Sequence, residues 1–93
     1  MNHAQLFKEA RDALGLTVRD MQRELCIADE RTVRRIESGE ITVYGPTWVA
    51  IYYILMEFSD RASTDDRAVE MTTLADRIMS YAESMHDVPA SQS

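Results

Sequence analysis

The chain has 93 residues, with ten Lys and Arg against sixteen Asp and Glu for a formal net charge of -6, a length that supports one modest core burying about 60 to 65% of the unfolded surface. The longest apolar run, residues 48–56, falls far short of the roughly 18 residues of a membrane span, and residues 1–14 form a charged amphipathic pattern rather than a signal core, so a soluble cytoplasmic protein is expected. Net acidity opposes phosphate binding, yet residues 1–58 hold seven basic and nine acidic side chains against three and seven in 59–93, which leaves the first part near neutral and able to carry a basic face.

Leu6, Ala10, Ala13 and Leu14 recur at helical spacing and are followed by Gly15, which predicts a first helix over residues 4–14 with a left-handed stop. Thr17-Val-Arg-Asp20 reads as a capping box that opens a short second helix over residues 18–25 with Val18, Met21 and Leu25 inward. Cys26, the single cysteine, sits among apolar neighbours and is expected as a small core thiol. Alone it makes no internal disulfide and no metal site. Asp29 is an N-cap candidate for a third helix from about residue 30 to Ser38, where Gly39 permits a positive φ. At about 100° per residue, Arg31, Arg34, Arg35 and Ser38 fall within roughly a 100° arc while Val33 and Ile36 point to the other side. One face is built to bury and the opposite one to present guanidinium groups. Two short helices joined by such a turn are the outline of a helix-turn-helix.

Residues 41–44 form a loop, and Gly45-Pro46-Thr47 starts a fourth helix over residues 47–58, with Trp48, Ile51, Tyr52, Leu55 and Phe58 as its apolar stripe. Residues 59–66 (SDRASTDD) read as a polar linker, in which Ser63-x-x-Asp66 can cap the next helix. This fifth helix occupies residues 67–85, its first turn reaching back to Thr64. Its Met71, Leu74, Ile78, Tyr81 and Met85 alternate spacings of three and four, a seam that either pairs with a second copy or folds back on its own domain. Residues 86–93 (HDVPASQS) have no apolar period and are expected to be a disordered tail.

Residues 15–39, GLTVRDMQRELCIADERTVRRIESG, resemble the phage repressor and Cro-like helix-turn-helix family, also called the xenobiotic-response-element (XRE) family. The resemblance rests on the Gly-Leu-Thr start of helix 2, apolar Met21 and Leu25, the Thr-Val-x-Arg-Ile-Glu-x-Gly ending and a following helix, and with flanking helices it covers residues 4–58. Two departures stand out: Cys26 stands where the family has a turn Gly, and the turn is one residue longer. The longer turn, the Arg-rich third helix and the Gly-Pro start of the fourth are similar to small regulators of phage operons, including anti-CRISPR-associated repressors. The resemblance implies an all-α fold, a five-helix bundle with a helix-turn-helix DNA-binding domain over residues 1–58 and a C-terminal dimerisation helix. It implies base reading by Glu30, Arg31 and Arg35, through Arg to guanine and Glu to cytosine, and phosphate contacts from Thr17, Arg19, Arg34 and Ser38. It also implies a structural pair between Arg11 and Glu37. The competing reading of Glu30 is a carboxylate that offsets the helix dipole, and that of the arginines a solvated face.

The expected function is therefore a homodimeric transcriptional regulator whose partner is an inverted-repeat duplex, because one recognition helix reads too few base pairs and two reach successive major grooves about 34 to 36 Å apart. An antitoxin or adaptor that binds a protein through its acidic C-terminal third is the alternative. Enzyme activity is not expected. His3 and His86 lie at the ends without partners at ligand spacing, and there is no phosphate loop or nucleophile motif. No cofactor, metal or small-molecule ligand is expected.

Overall fold

A computed structural model describes the backbone of residues 3–43 and 45–90 and the side-chain environments as far as residue 84. The described residues are all-helical: α1 (His3–Leu14), α2 (Val18–Glu24), α3 (Glu30–Glu37), α4 (Gly45–Asp60) and α5 (Asp65–Ala90). They divide into two compact units, Met1–Val43 and Tyr44–Ser93.

In the first unit α3 packs against both α1 and α2, around a core that includes Leu6, Phe7, Ala10, Leu14, Met21, Val33 and Ile36. The starts of α2 and α3 are fixed by side chains. The Asp20 amide donates to Thr17 Oγ1 at 3.1 Å while the Thr17 amide donates to Asp20 Oδ2 at 3.2 Å, a reciprocal arrangement that satisfies two otherwise orphaned donors. At α3, Asp29 Oδ1 accepts from both the amide and the hydroxyl of Thr32 at 2.8 Å.

All three helix ends are closed by the same device, a left-handed residue whose amide and that of its successor bond back to the last turn. At α1 it is Gly15 (φ 70°), with Gly15 N to Asp12 O at 3.1 Å and Leu16 N to Arg11 O at 3.2 Å. At α3 it is Gly39 (φ 85°), with Gly39 N to Ile36 O at 3.1 Å and Glu40 N to Arg35 O at 2.9 Å. At α2 the same bonds run from Cys26 N to Arg23 O at 3.3 Å and from Ile27 N to Gln22 O at 2.9 Å, so Cys26 takes the left-handed conformation at φ 55°. This overturns the expected core thiol: Cys26 is exposed, because a residue that closes a helix end is turned away from the face the helix buries.

In the second unit α4 and α5 form an αα-hairpin. Trp48, Ile51 and Leu55 are fully buried, and the Trp48 ring meets Tyr81 edge-on with centroids 5.3 Å apart and planes at 76°. Such aromatic geometry adds about 0.5 to 1.5 kcal/mol beyond area burial. Tyr52 and Phe58, also assigned to the stripe, are half-buried, while Ser59 is buried, its hydroxyl donating to the Met56 carbonyl at 2.7 Å.

Four expectations change here. The fourth helix groups with the fifth rather than with the first three, so the boundary falls after Val43 and not after residue 58. The linker shrinks to residues 61–64 between α4 and α5, and the cap is Thr64, whose hydroxyl accepts from the Arg67 amide at 3.2 Å, in place of Ser63. The final helix continues to Ala90, through five residues of the expected tail; residues 91–93 lie outside the described residues. Finally, Met71, Leu74 and Ile78 are buried within the single chain, together with Ala75 and Ala82, and Tyr81 is half-buried against Trp48. The seam assigned to a second copy is thus covered by α4, the nearest apolar surface across a four-residue turn. The surroundings of Met85 lie outside the described residues.

Candidate nucleic-acid interface

The side chains expected to meet DNA are all on the first unit. Val33 and Ile36 anchor α3 by burial (0% and 4% exposed), and the 3.6-residue period then turns Arg31, Arg34 and Ser38 to solvent with Arg35 half-exposed beside them. The helix is further secured by Arg11 and Glu37. Arg11 Nε donates to Glu37 Oε2 at 2.5 Å and Nη2 to Oε1 at 3.0 Å, a two-pronged geometry natural to guanidinium and carboxylate, while Nη1 donates to the Leu16 carbonyl at 3.1 Å. The pair is mostly buried, at 16% and 12% exposure. The bond to Glu37 raises the pKa of Arg11 above its ordinary value. One side chain therefore joins α1, the α1–α2 connection and α3.

On the presented face the expected residues are brought together in unequal states. Glu30 lies between two arginines, Oε2 at 3.7 Å from Arg19 Nε and Oε1 at 3.4 Å from Arg34 Nη2. The two cations expected to grip phosphate thus converge on one carboxylate, from α2 and α3 respectively. Arg35 Nε donates to Glu40 Oε2 at 2.9 Å. Arg31 is exposed, and its charge, with that of Arg35, adds to the Thr32 hydroxyl and amide bonds in lowering the Asp29 pKa. Thr17 and Ser38 spend bonding capacity on the backbone: Thr17 Oγ1 accepts from the Asp20 amide at 3.1 Å, and Ser38 Oγ donates to the Arg35 carbonyl at 3.0 Å, while the Thr17 amide, and after it the Thr17 hydroxyl, lowers the pKa of the Asp20 carboxylate. Both hydroxyls remain at the surface.

Sequence reasoning missed Glu40 and Gln22. The Glu30–Arg34 pairing is an i,i+4 spacing legible on paper, but the approach of Arg19 from another helix and of Glu40 from beyond the Gly39 turn is not. Gln22 Nε2 donates to the Ile27 carbonyl at 2.6 Å, pinning the turn ahead of α3. At the start of α1, His3 Nε2 lies 3.3 Å from the Ile41 carbonyl, which ties the residues after α3 to the first helix. Among the described residues, no group of three or more His, Cys, Asp or Glu side chains is placed to hold a metal ion, and no helix is long and apolar enough to cross a membrane. Comparison with protein-family models, curated proteins and solved structures finds no match to this chain.

Proposed function

We propose that the protein is a sequence-specific double-stranded DNA-binding regulator, a repressor that places α3 in the major groove. The observation that carries this reading is α3 itself: a two-turn helix anchored by Val33 and Ile36, braced by Arg11 and Glu37, with Arg31, Arg34 and Arg35 on its opposite face. Arg31 is the first choice for base reading, since its fork suits guanine O6 and N7 and it is exposed near the start of the helix. Two copies on an inverted repeat follow from the short reach of one such helix, and not from α5, whose Met71, Leu74 and Ile78 are covered within the chain.

Sequencing duplexes that the purified protein selects from a random pool at low salt tests the proposal. Enrichment of an inverted repeat is expected, and Arg31→Ala should relax one base position per half-site at a cost of about 1 to 3 kcal/mol. A pool that shows no enrichment would overturn it.

A further inference from the structure

The pairing of the α3 arginines has a chemical meaning beyond register. A guanidinium meets a carboxylate and a phosphate through the same donors, and three arginines of this face already have a carboxylate against them: Arg19 and Arg34 share Glu30, and Arg35 holds Glu40. These pairs are exposed, Arg19 at 73% and Arg34 at 65%, and exposed ion pairs contribute little to stability. They can therefore open without disturbing the fold. Arg31 differs from the other three: the nearby carboxylate of Asp29 is committed to Thr32 through two 2.8 Å bonds.

We infer that this face carries its own counter-ions, with Glu30 and Glu40 holding on Arg19, Arg34 and Arg35 the seats of DNA phosphate oxygens, so that binding exchanges intramolecular carboxylates for phosphates. The inference rests on the DNA-binding reading above and gives Glu30 a positioning role in place of base reading. Each carboxylate lowers the gain from any duplex by the charge it already neutralises, which weakens sequence-independent attraction. Arg31 lies outside the exchange and stays directed to bases, so the ratio of specific to random binding rises.

The test uses the full chain with Glu30→Gln, Glu40→Gln and the double variant. Glu57→Gln is the control, since it makes the same charge change at an exposed ion pair with Arg61 in the other unit. Affinity for a random-sequence duplex is titrated against sodium chloride, and elution from a heparin column is read in parallel. The double variant should bind the random duplex about tenfold tighter at about 0.1 M salt, with the slope of log K against log salt steeper by about one to two. Adding Arg34→Ala should remove part of that gain, and Glu57→Gln should behave as wild type. A shift in the control equal to those of the single variants Glu30→Gln and Glu40→Gln would reduce the effect to net charge and overturn the inference. Weaker binding of the random duplex by Glu30→Gln would overturn it. Later heparin elution of the double variant alone, with no duplex bound by any form, would support the counter-ion exchange while removing the DNA-binding reading.

Discussion

Cys26 closes α2 in a conformation that glycine adopts freely and other residues adopt at a cost of about 1 to 2 kcal/mol. Its counterparts Gly15 and Gly39 do the same work at the ends of α1 and α3 with the expected residue. Cys26→Gly removes that cost but enlarges the unfolded ensemble, which returns about 0.5 to 1 kcal/mol. The variant should therefore be more stable by about 0.5 to 1 kcal/mol, read as a raised midpoint in chemical denaturation. In the native wild-type chain the exposed thiol should react with a maleimide as fast as in a short peptide. A lowered midpoint together with a thiol protected until unfolding would return Cys26 to the core. The error of the sequence reading here has a physical origin: Cys is a buried residue on average, while the bonds that demand a left-handed residue, Ile27 to Gln22 and Cys26 to Arg23, are visible only once the backbone is closed. The caps at Thr17 and Asp29 were legible because the signal is a side chain at fixed spacing from the amide it bonds.

At the scale of elements, α1 and α3 are joined by a mostly buried ion pair between residues 26 positions apart. Breaking a fully buried pair costs about 3 to 5 kcal/mol because the remaining charge is stranded. With 16% and 12% exposure left to the partners, Arg11→Ala should cost about 2 to 4 kcal/mol, a fall of roughly 10 °C or more in the unfolding midpoint of the first unit. Arg11→Lys should recover little of it, since an ammonium cannot reproduce two parallel bonds to Glu37 and a third to Leu16. Differential scanning calorimetry of the three chains decides. Midpoints within about 2 °C of one another would make the pair energetically idle and leave Val33 and Ile36 as the only anchors of α3. Helix faces were read well from spacing: the arc with Arg31, Arg34 and Ser38 is exposed, and Val33 with Ile36 is buried. The end of α5 was not. Residues 86–90 extend the helix although they have no apolar period and Pro89 brings no amide donor.

Across the whole molecule charge and packing divide at the same place. Residues 1–43 hold seven basic and eight acidic side chains and residues 44–93 three and eight, so nearly all of the excess negative charge lies on the α4–α5 unit, where it would repel phosphate. The 3-4 spacing of the α5 seam left two partners open, a twin or the same chain, because the period of an apolar stripe specifies a face and not its cover. Burial of Met71, Leu74 and Ile78 beside α4 gives the stripe a partner within the chain. Equally, α4 cannot keep its own face dry once α5 is gone. Ending the chain at Asp60 would uncover Trp48, Ile51 and Leu55, each now at 0% exposure, at about 1.5 to 3 kcal/mol per side chain. A sixteen-residue helix has only marginal stability by itself in water. The truncated chain should therefore lose more helix than the 26 residues of α5 account for, and the emission of Trp48, the only tryptophan, should move to that of a solvated indole. Circular dichroism and fluorescence of the two chains are sufficient to decide. Buried-type emission with only the α5 helicity missing would mean that α4 stands without α5, which would restore a DNA-binding domain that ends at residue 58 and free the Met71 to Ile78 stripe for a second copy.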